Sequence, residues 1–543
     1  MERRDFLQSA ALGGLVPLLP HAGGGSDPAI AVDVRSQPVR RGELDEQSLA
    51  DLAAGMAAGR WTSRDLVERY HQQIALRDAP RGGLHAVIER NPDALAIADA
   101  MDAERRAGRV RGPLHGIPIL IKDNIDTGDR MQTSAGSLAL VGSPAPRDAF
   151  IISRLREAGA VLLGKTNLSE FANFRSSRSS SGWSSRGGQT RNPYVLDRNP
   201  CGSSSGSAVA AAANLCAIAI GTETDGSIVC PSSANGIVGF KPTVGLWSRT
   251  GILPISVTQD TAGPMGRSVS DVATLLGPLT GLDPDDSATG ASTPHRRADY
   301  RDALRRDALQ GKRIGILRSA FGFHERVDRL LEDAIASLRA AGAEIVDPVT
   351  IDAPRGVGGW ENTVLSYEFK DGINRYLARR GGVGPVRSLS DIIAFNEAHA
   401  ATTMPYFGQE TLLRSAQRGT LEEQVYREAH RQLLQGAREQ GIDATLATHR
   451  LDAIMAPTGG PAWVTDVLNG DHFGGGSSGH AARAGYPNVT LPIGFVAGLP
   501  VGMSLFTTAW HDAELLGMAF AFEQHHPARR PPTFLPSLVT NGP

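Results

Sequence analysis

The sequence predicts an α/β fold in which one large, mixed and twisted β-sheet is covered by helices on both faces. Short apolar runs bounded by turn residues alternate with amphipathic segments, which is typical of strands and helices that follow one another. The alternation has no break in composition, so we expect one large domain over residues 45–535. With 543 residues, 41% of them hydrophobic, the chain is long enough to bury a stable core.

The N-terminus has the features of an export signal. Arg3-Arg4 precedes a short apolar stretch, and a small-residue cleavage site ends at Ala22. We therefore predict a twin-arginine export signal over residues 1–22, a linker over residues 23–44, and a periplasmic or secreted protein. The alternative is a disordered tail with two adjacent arginines by chance, in which case the protein is cytoplasmic.

The first predicted elements are two amphipathic helices, over residues 45–59 and 62–77. Thr62 and Asp65 have the spacing of a capping box at the start of the second helix. A third helix is expected to open at Asn91-Pro92, because proline fits the first helical position. Further strands are predicted at 117–121, 160–163, 216–220, 313–317, 344–346, 453–455, 488–492 and 500–505, and further helices at 148–159, 207–214, 228–235, 326–341 and 361–379.

Residues 175–207 are dense in Ser, Gly and Arg and have no hydrophobic period, which predicts a loop. The part at residues 175–191 has two interpretations. It is either a solvated connector or the lining of a cleft, with Trp183 as an apolar wall.

Composition excludes several classes of partner. Lys and Arg number 55 against 57 Asp and Glu, a net charge of −2, so nothing attracts nucleic acid or an anionic membrane. No apolar run in the mature chain is long enough to cross a bilayer. We expect a monomer that binds a small molecule or a peptide. The 14 histidines have no metalloprotease spacing, so we expect no metal and no cofactor, and His115 is interpreted as structural.

The three cysteines, Cys201, Cys216 and Cys230, are too few for a disulfide framework. Cys201 and Cys230 are expected to be small buried packing residues. The chain is accordingly expected to contain no disulfide.

Two motif matches lack the structural context that they need. Residues 159–166 fit the phosphate-loop pattern, but a helix precedes them and an apolar strand separates the glycines. Residues 202–206 fit the nucleophile elbow with Ser204 at the centre, but a turn-like segment precedes them where the elbow needs a strand. A nucleotide site and a Ser-His-Asp hydrolase are therefore disfavoured.

Two serines and a lysine form a third constellation. Ser227 lies between an apolar strand and a predicted helix, where successive backbone N–H groups can stabilise an oxyanion. Lys122 follows an apolar strand, and apolar surroundings lower the pKa of a lysine so that its neutral amine can act as a base. Ser203 lies 24 residues before Ser227 in a serine-rich loop. The spacing alone leaves open that Lys122 is a solvated strand end and Ser227 a turn residue.

Several long blocks resemble the amidase signature family, in the family's order and over nearly the whole chain after residue 45. The blocks are residues 112–124, 164–171, 201–207, 221–228, 239–243, 260–265, 456–458, 484–487 and 498–502. Two stretches, residues 181–194 and 222–231, resemble one branch of the family, the bacterial peptide amidases. Members of that branch remove ammonia from the C-terminal carboxamide of peptides.

The resemblance implies a role for each residue of the constellation. Ser227 would be the nucleophile, Ser203 the proton relay after a cis peptide bond from Gly202, and Lys122 the base. The implied oxyanion hole consists of backbone amides, those of Thr224, Asp225, Gly226 and Ser227. The candidate substrate contacts are Trp183, Asp225 and Asn173.

The chain departs from the family pattern at Asp225 and Ser205, where most members have Gly. Asp225 places a side chain beside the oxyanion hole, where it can crowd an anionic substrate or bind a substrate N–H. One alternative is an amidase for aryl or fatty acyl amides. Another is the glutaminase-like component of a tRNA amidotransferase, which an export signal disfavours. A third is an inactive peptide-binding protein, which the complete set of Lys122, Ser203 and Ser227 disfavours.

Overall fold

Eleven strands form one mixed β-sheet in the computed structural model, which describes residues 42–538 apart from 81, 143, 353 and 355. The strands are β1 (Val87–Arg90), β2 (Pro118–Lys122), β3 (Val161–Thr166), β4 (Trp183–Ser184), β5 (Gly188–Gln189), β6 (Ile218–Glu223), β7 (Val238–Lys241), β8 (Thr261–Gly266), β9 (Arg313–Leu317), β10 (Glu344–Val349), β11 (Ala453–Pro457), β12 (Asn488–Val496) and β13 (Leu499–Phe506). The order across the sheet is β1-β3-β2-β6-β8-β7-β12-β13-β11-β9-β10, and β4 and β5 form a separate ribbon. The predicted α/β fold is confirmed.

Sixteen α-helices accompany the sheet in the described residues. They are α1 (Leu49–Ala57), α2 (Ser63–Gln73), α3 (Ala94–Arg106), α4 (Phe150–Glu157), α5 (Ser205–Ala212), α6 (Val229–Ala234), α7 (Val269–Leu276), α8 (Glu325–Ala340), α9 (Val357–Arg380), α10 (Leu389–Ala398), α11 (Ala400–Thr403), α12 (Glu410–Ala416), α13 (Gln424–Ala437), α14 (Asp443–His449), α15 (Ser478–Ala484) and α16 (Asp512–His525). The predicted capping box of Thr62 and Asp65 is confirmed at the start of α2. Over this part of the chain, none of the helices could span a membrane. The predicted export signal lies outside the described residues, as does the linker up to residue 41.

Two central strands, β7 and β8, lie outside the predicted elements. Strand β8 reads Thr-Ala-Gly-Pro-Met-Gly, and small residues and proline carry little strand propensity. It nevertheless pairs antiparallel with both β6 and β7. A Cβ atom at Gly263 would meet the carbonyl oxygen of Phe240 at 2.1 Å. The close approach of the backbones at the centre of the sheet therefore requires the glycine that weakens the sequence signal.

The serine-rich segment is more ordered and more buried than a solvated connector. Helix α5 begins within it, at Ser205, and Trp183 lies in the β4–β5 ribbon. Arg175 is fully buried and forms an ion pair with Glu170 at 2.7 Å. The solvated-connector interpretation of residues 175–191 is therefore wrong, because ion pairs and ring contacts hold the segment against the core.

The sheet brings the ends of β2 and β6 together. The two strands are parallel neighbours, with Ile119 opposite Ile218, and every residue of both is buried. Because the carboxyl ends of parallel strands meet at one edge of a sheet, the residues that follow them become neighbours. Lys122 ends β2, and the chain after β6 leads through Ser227 into α6.

Candidate active site

Lys122 is fully buried at the end of β2. Its Nζ atom donates hydrogen bonds to three hydroxyl oxygens, those of Ser203 at 2.8 Å, Ser204 at 2.9 Å and Thr222 at 2.9 Å. The carbonyl oxygen of Thr222 lies 3.2 Å away as a further acceptor. An ammonium group has three donors, so this environment satisfies all of them. The interpretation of Lys122 as a solvated strand end is therefore wrong.

The electrostatic surroundings bring Lys122 close to neutrality. Burial lowers the pKa of Lys122 to about 7, although the carboxylates of Asp260 and Glu223 act in the opposite direction. Asp260 is itself buried, which raises its pKa to about 6, and it accepts a hydrogen bond from the Thr224 hydroxyl at 2.5 Å. A lysine with a pKa near 7 is neutral in a large fraction of molecules at neutral pH, so it can accept a proton.

Ser203 is fully buried and follows Gly202 through a cis peptide bond, as the resemblance implies. Its carbonyl oxygen accepts a hydrogen bond from the N–H of Ser169 at 3.1 Å. The next residue, Ser204, donates its hydroxyl to the Thr222 carbonyl at 3.0 Å and accepts from the Thr222 N–H at 3.1 Å. These bonds hold the segment Ser203-Ser204 against the end of β6.

Ser227 lies between β6 and α6 and keeps 8% of its surface exposed. Its carbonyl oxygen accepts a hydrogen bond from the N–H of Ser204 at 3.2 Å, which ties the loop of Ser227 to the segment of Ser203. Among the described residues, no group forms a hydrogen bond with the Ser227 hydroxyl. The structure thus joins Lys122 to Ser203 directly and connects Ser227 to them through the backbone, with its hydroxyl uncommitted.

The backbone at residues 225–227 carries N–H groups that have no acceptor among the described residues. Gly226 has φ +79°, a left-handed conformation that favours glycine. Within the described part of the chain, no acceptor takes a hydrogen bond from the amides of Asp225, Gly226 or Ser227. The next two amides donate to the buried carboxylate of Glu223 at 2.7 and 3.0 Å. Glu223 therefore holds the start of α6, whereas the amides before it are those of the predicted oxyanion hole.

The three candidate substrate contacts differ in their surroundings. Asp225 is partly buried, and its Oδ1 atom accepts a hydrogen bond from the Ser478 hydroxyl at 2.5 Å. Asn173 has φ +73°, and its buried Oδ1 atom has no hydrogen-bond partner in the described residues. Trp183 is 5% exposed and packs edge-on against Phe407, with ring centroids 5.0 Å apart. Across the described chain, no hydrogen bond, ion pair or ring contact joins Asn173 or Trp183 to the three predicted catalytic residues.

The expectation that Cys201 and Cys230 are unlinked packing residues is wrong, because the two form a disulfide. Their Cα atoms lie 6.0 Å apart, within the range that a disulfide spans. The sequence separation of 29 residues means that the closed loop contains both Ser203 and Ser227. Cys216 is free and buried. The number of cysteines in a sequence does not tell which of them meet in space.

Other sequence candidates have structural roles. His115 is 1% exposed, as the structural interpretation requires, and its Nε2 atom lies 2.9 Å from the carbonyl oxygen of Met101. Lys165, from the phosphate-loop match, is buried in β3 and donates to the Ile125 carbonyl at 2.5 Å and the Thr133 hydroxyl at 3.0 Å. In the residues that the structure describes, no group of three or more His, Cys, Asp or Glu side chains could hold a metal ion.

A cavity of about 210 Å³ adjoins the lysine side of the site. Thr222, Thr224 and Asn124 contribute to its wall, together with several arginines and aspartates, whereas Ser203 and Ser227 do not. The cavity therefore reaches a hydroxyl partner of Lys122 but not the hydroxyl of the predicted nucleophile.

Three residues contribute to the site although the predicted catalytic set does not include them. Ser204 and Thr222 accept hydrogen bonds from Lys122, and Asp260 acts on its pKa. All three lie within blocks that resemble the family, which is the signal that could have found them. Their roles depend on strand ends that meet only in the folded chain.

Comparison with known sequences identifies relatives over most of the chain. The family model described as Amidase matches residues 65–516. A "Probable amidase" of Arabidopsis thaliana is 40% identical over 501 residues, which cover 91% of this chain and 92% of the relative. One component of the glutamyl-tRNA(Gln) amidotransferase of Symbiobacterium thermophilum is 34% identical over 510 residues, which cover 91% of this chain and 99% of the relative.

Comparison with solved structures identifies neighbours of the same architecture. Peptide amidase PAM in complex with the competitive inhibitor chymostatin is 52% identical, with a TM-score of 0.87, and the match covers 90% of this chain and 99% of that chain. The native peptide amidase from Stenotrophomonas maltophilia is 51% identical, with a TM-score of 0.86 and coverage of 91% and 99%. An amidase family protein from Bacillus anthracis is 34% identical, with a TM-score of 0.82 and coverage of 90% and 93%.

Proposed function

Since the chain belongs to the amidase family and is an amide-hydrolysing enzyme, we propose that it hydrolyses the C-terminal carboxamide of peptides to the free acid and ammonia. In this proposal Ser227 is the nucleophile, Ser203 relays its proton, and Lys122 is the base. The observation that carries the proposal is the hydrogen bond of 2.8 Å between the buried side chains of Lys122 and Ser203, beside a serine whose hydroxyl is uncommitted.

Acylation starts from neutral Lys122. The amine takes the proton of the Ser203 hydroxyl while Ser203 takes the proton of Ser227, and the Ser227 oxygen forms a bond to the carbonyl carbon of the substrate. The proton on Lys122 then returns through Ser203 to the nitrogen of the leaving group. The C–N bond breaks, ammonia departs, and the acyl group remains as an ester on Ser227.

Deacylation repeats the same proton movements with water as the nucleophile. Water gives a proton toward Ser203 and Lys122 as its oxygen bonds to the ester carbon. The bond between that carbon and the Ser227 oxygen then breaks, and the relay returns a proton to Ser227. The products are the free acid and the original enzyme, so no co-reactant other than water is needed.

Both steps pass through a tetrahedral oxyanion, which needs fixed donors. The proposed donors are the backbone amides of Thr224, Asp225, Gly226 and Ser227. One well-placed donor contributes about 3–4 kcal/mol to such a transition state. Glycine at position 226 permits the φ of +79° that this loop adopts.

The proposal of a peptide substrate rests on sequence similarity, because two peptide amidase structures are 52% and 51% identical in sequence to this chain. Aryl or fatty acyl amides are the second substrate class, because the relative of Arabidopsis thaliana is named only as a probable amidase.

We also propose that the protein is exported as a monomer. Detection of the mature chain in a periplasmic fraction, with a monomeric mass by light scattering, would support this.

The experiment that tests the function measures ammonia release from four substrates. They are a peptide with a C-terminal carboxamide, the same peptide with only a side-chain amide, an anilide followed by aniline release, and a fatty amide. Wild-type protein is compared with Ser227→Ala. Turnover of the C-terminal carboxamide alone, abolished in the variant, is the expected result.

Other outcomes of that experiment have definite meanings. Turnover of a different amide would keep the mechanism and replace the substrate. Full activity of Ser227→Ala would show that Ser227 is not the nucleophile.

A further inference from the structure

One peptide group of the oxyanion loop is held by a buried glutamine. The Nε2 atom of Gln259, which is fully buried just before β8, donates a hydrogen bond to the carbonyl oxygen of Thr224 at 3.2 Å. That carbonyl belongs to the same peptide group as the N–H of Asp225. In a trans peptide the carbonyl and the N–H point in opposite directions, so fixing one fixes the other.

Gln259 is in turn held by a second acceptor. Its Nε2 atom also donates to the Oε1 atom of Glu361, in α9, at 3.1 Å. The Oε2 atom of Glu361 accepts from the Nε atom of Arg483, in α15, at 2.8 Å. Glu361 is 8% exposed, and the guanidinium of Arg483 compensates its charge. Helix α9 therefore holds the glutamine directly, and α15 holds the glutamate that anchors it.

Chemistry determines the orientation of the Gln259 amide. Both groups that face Nε2 are pure acceptors, a backbone carbonyl and a carboxylate, and an amide nitrogen has two hydrogens for them. The reverse orientation would place the Gln259 oxygen against these two acceptors. The Oε1 atom is buried and has no hydrogen-bond partner in the described residues, which is the cost of directing the nitrogen toward Thr224.

The peptide is restrained at its flanks as well. The Thr224 hydroxyl donates to Asp260 at 2.5 Å, and the Asp225 carboxylate accepts from Ser478 at 2.5 Å. These two bonds hold the side chains on either side of the peptide group. The bond from Gln259 acts on the peptide group itself, and so on the direction of the Asp225 N–H.

We infer that Gln259, anchored by Glu361, is a positioning residue that directs the N–H of Asp225 toward the substrate oxyanion. This inference rests on the proposed function, because it assumes that the amides after Thr224 face the reacting carbonyl. Gln259 does not touch the substrate. It acts by removing the freedom of one peptide group to rotate, so that the donor is in place before the oxyanion forms.

The test uses Gln259→Leu, which removes both donors and keeps most of the volume. We expect kcat to fall about 10- to 100-fold, because loss of one oxyanion donor costs up to about 10²–10³ and misdirection costs less. KM for the amide should change less than about twofold, since the ground-state carbonyl depends little on this donor. A peptide aldehyde forms a tetrahedral adduct with Ser227. Gln259→Leu should bind this aldehyde more weakly than wild type does, by the same factor by which its kcat/KM is lowered.

Gln409→Leu is the matched control. Gln409 is another buried glutamine, 4% exposed, and its Nε2 atom donates to the Ile393 carbonyl at 3.1 Å, away from the oxyanion loop. The control should lose stability but keep kcat and aldehyde affinity. The inference is overturned if Gln259→Leu keeps wild-type kcat and aldehyde affinity, or if both variants lose them equally.

A second variant keeps the inference testable if Gln259→Leu does not fold. Glu361→Leu leaves the glutamine in place without its anchor. We therefore expect kcat to fall, but by a smaller factor than in Gln259→Leu. The double variant should lose no more than Gln259→Leu alone, because the two residues act as a unit. A double variant whose loss of kcat equals the product of the two single losses would contradict the inference.

Failure of the proposed substrate can be distinguished from failure of this inference. Every amide passes through an oxyanion, so the same variants can be measured on whichever amide the wild type hydrolyses. A wild type that turns over an anilide but no peptide amide would end the peptide proposal. The ratio of kcat values for wild type and Gln259→Leu would still decide the role of Gln259.

Discussion

The Nζ atom of Lys122 lies 2.8 Å from the hydroxyl oxygen of Ser203, and both side chains are fully buried. Burial lowers the pKa of this lysine to about 7, so the pair can exchange a proton at neutral pH. A surface lysine, with a pKa near 10.4, would be protonated in almost every molecule. The catalytic proposal therefore depends on where the fold places this amine.

Replacement of Lys122 should lower turnover strongly and leave a folded protein. We expect Lys122→Ala to lower kcat by about two to four orders of magnitude, since general-base catalysis contributes about 10²–10⁴-fold. Ammonia release and circular dichroism are the measurements. Lys165→Met is the control, because Lys165 is equally buried but bonds to Ile125 and Thr133. Near-normal kinetics in Lys122→Ala would show that Lys122 is not the base.

The pH dependence should follow the lysine. The base must be neutral, so kcat/KM should fall about tenfold per pH unit below a pKa of about 7 and level off above it. Because the carboxylate of Asp260 raises the pKa of Lys122, Asp260→Asn should shift this fall in kcat/KM to lower pH. The profile is measured from about pH 5 to 9 on the amide that the wild type hydrolyses. A profile that stays flat through the pKa of about 7 would contradict the assignment.

Reduction of the Cys201–Cys230 bridge should destabilise the protein. The bridge joins cysteines separated by 29 positions, and closing such a loop lowers the chain entropy of the unfolded state by an amount that corresponds to about 3–4 kcal/mol. Denaturant unfolding with and without dithiothreitol measures the difference. Cys216→Ala should retain this sensitivity, because Cys216 is the free cysteine. Thiol titration of the denatured wild type should find one thiol before reduction and three after it, and three before reduction would contradict the bridge.

Asp225 should control how the site treats the anionic product. Its carboxylate lies two residues from Ser227 and repels a bound carboxylate, so Asp225→Asn should lower the Ki of the product acid by about tenfold. KM for the peptide amide should stay within about twofold. Product-inhibition kinetics at constant ionic strength measure both values. A large rise in KM without a change in Ki would indicate that Asp225 binds a substrate N–H instead.

Local patterns were sufficient to predict the α/β class, several strands and the capping box of Thr62 and Asp65. They were not sufficient for β7 and β8, because small residues that let backbones approach closely carry no hydrophobic period. The three predicted catalytic residues could be named from blocks of sequence. Their partners Ser204 and Thr222 lie in the same blocks, but the blocks do not show that these hydroxyls meet Lys122, nor that a glutamine holds the oxyanion loop.

The sequence by itself determined which chemistry the chain carries, since the serines, the lysine and the glycine-containing turn before Ser227 are local features. Only the tertiary structure decided the state of these groups. The pKa of Lys122 depends on burial beneath elements distant in sequence, and the Cys201–Cys230 bridge depends on two segments that meet in space. Such contacts arise because the strand order of the sheet places the ends of β2 and β6 side by side, and strand order follows from packing over the whole chain.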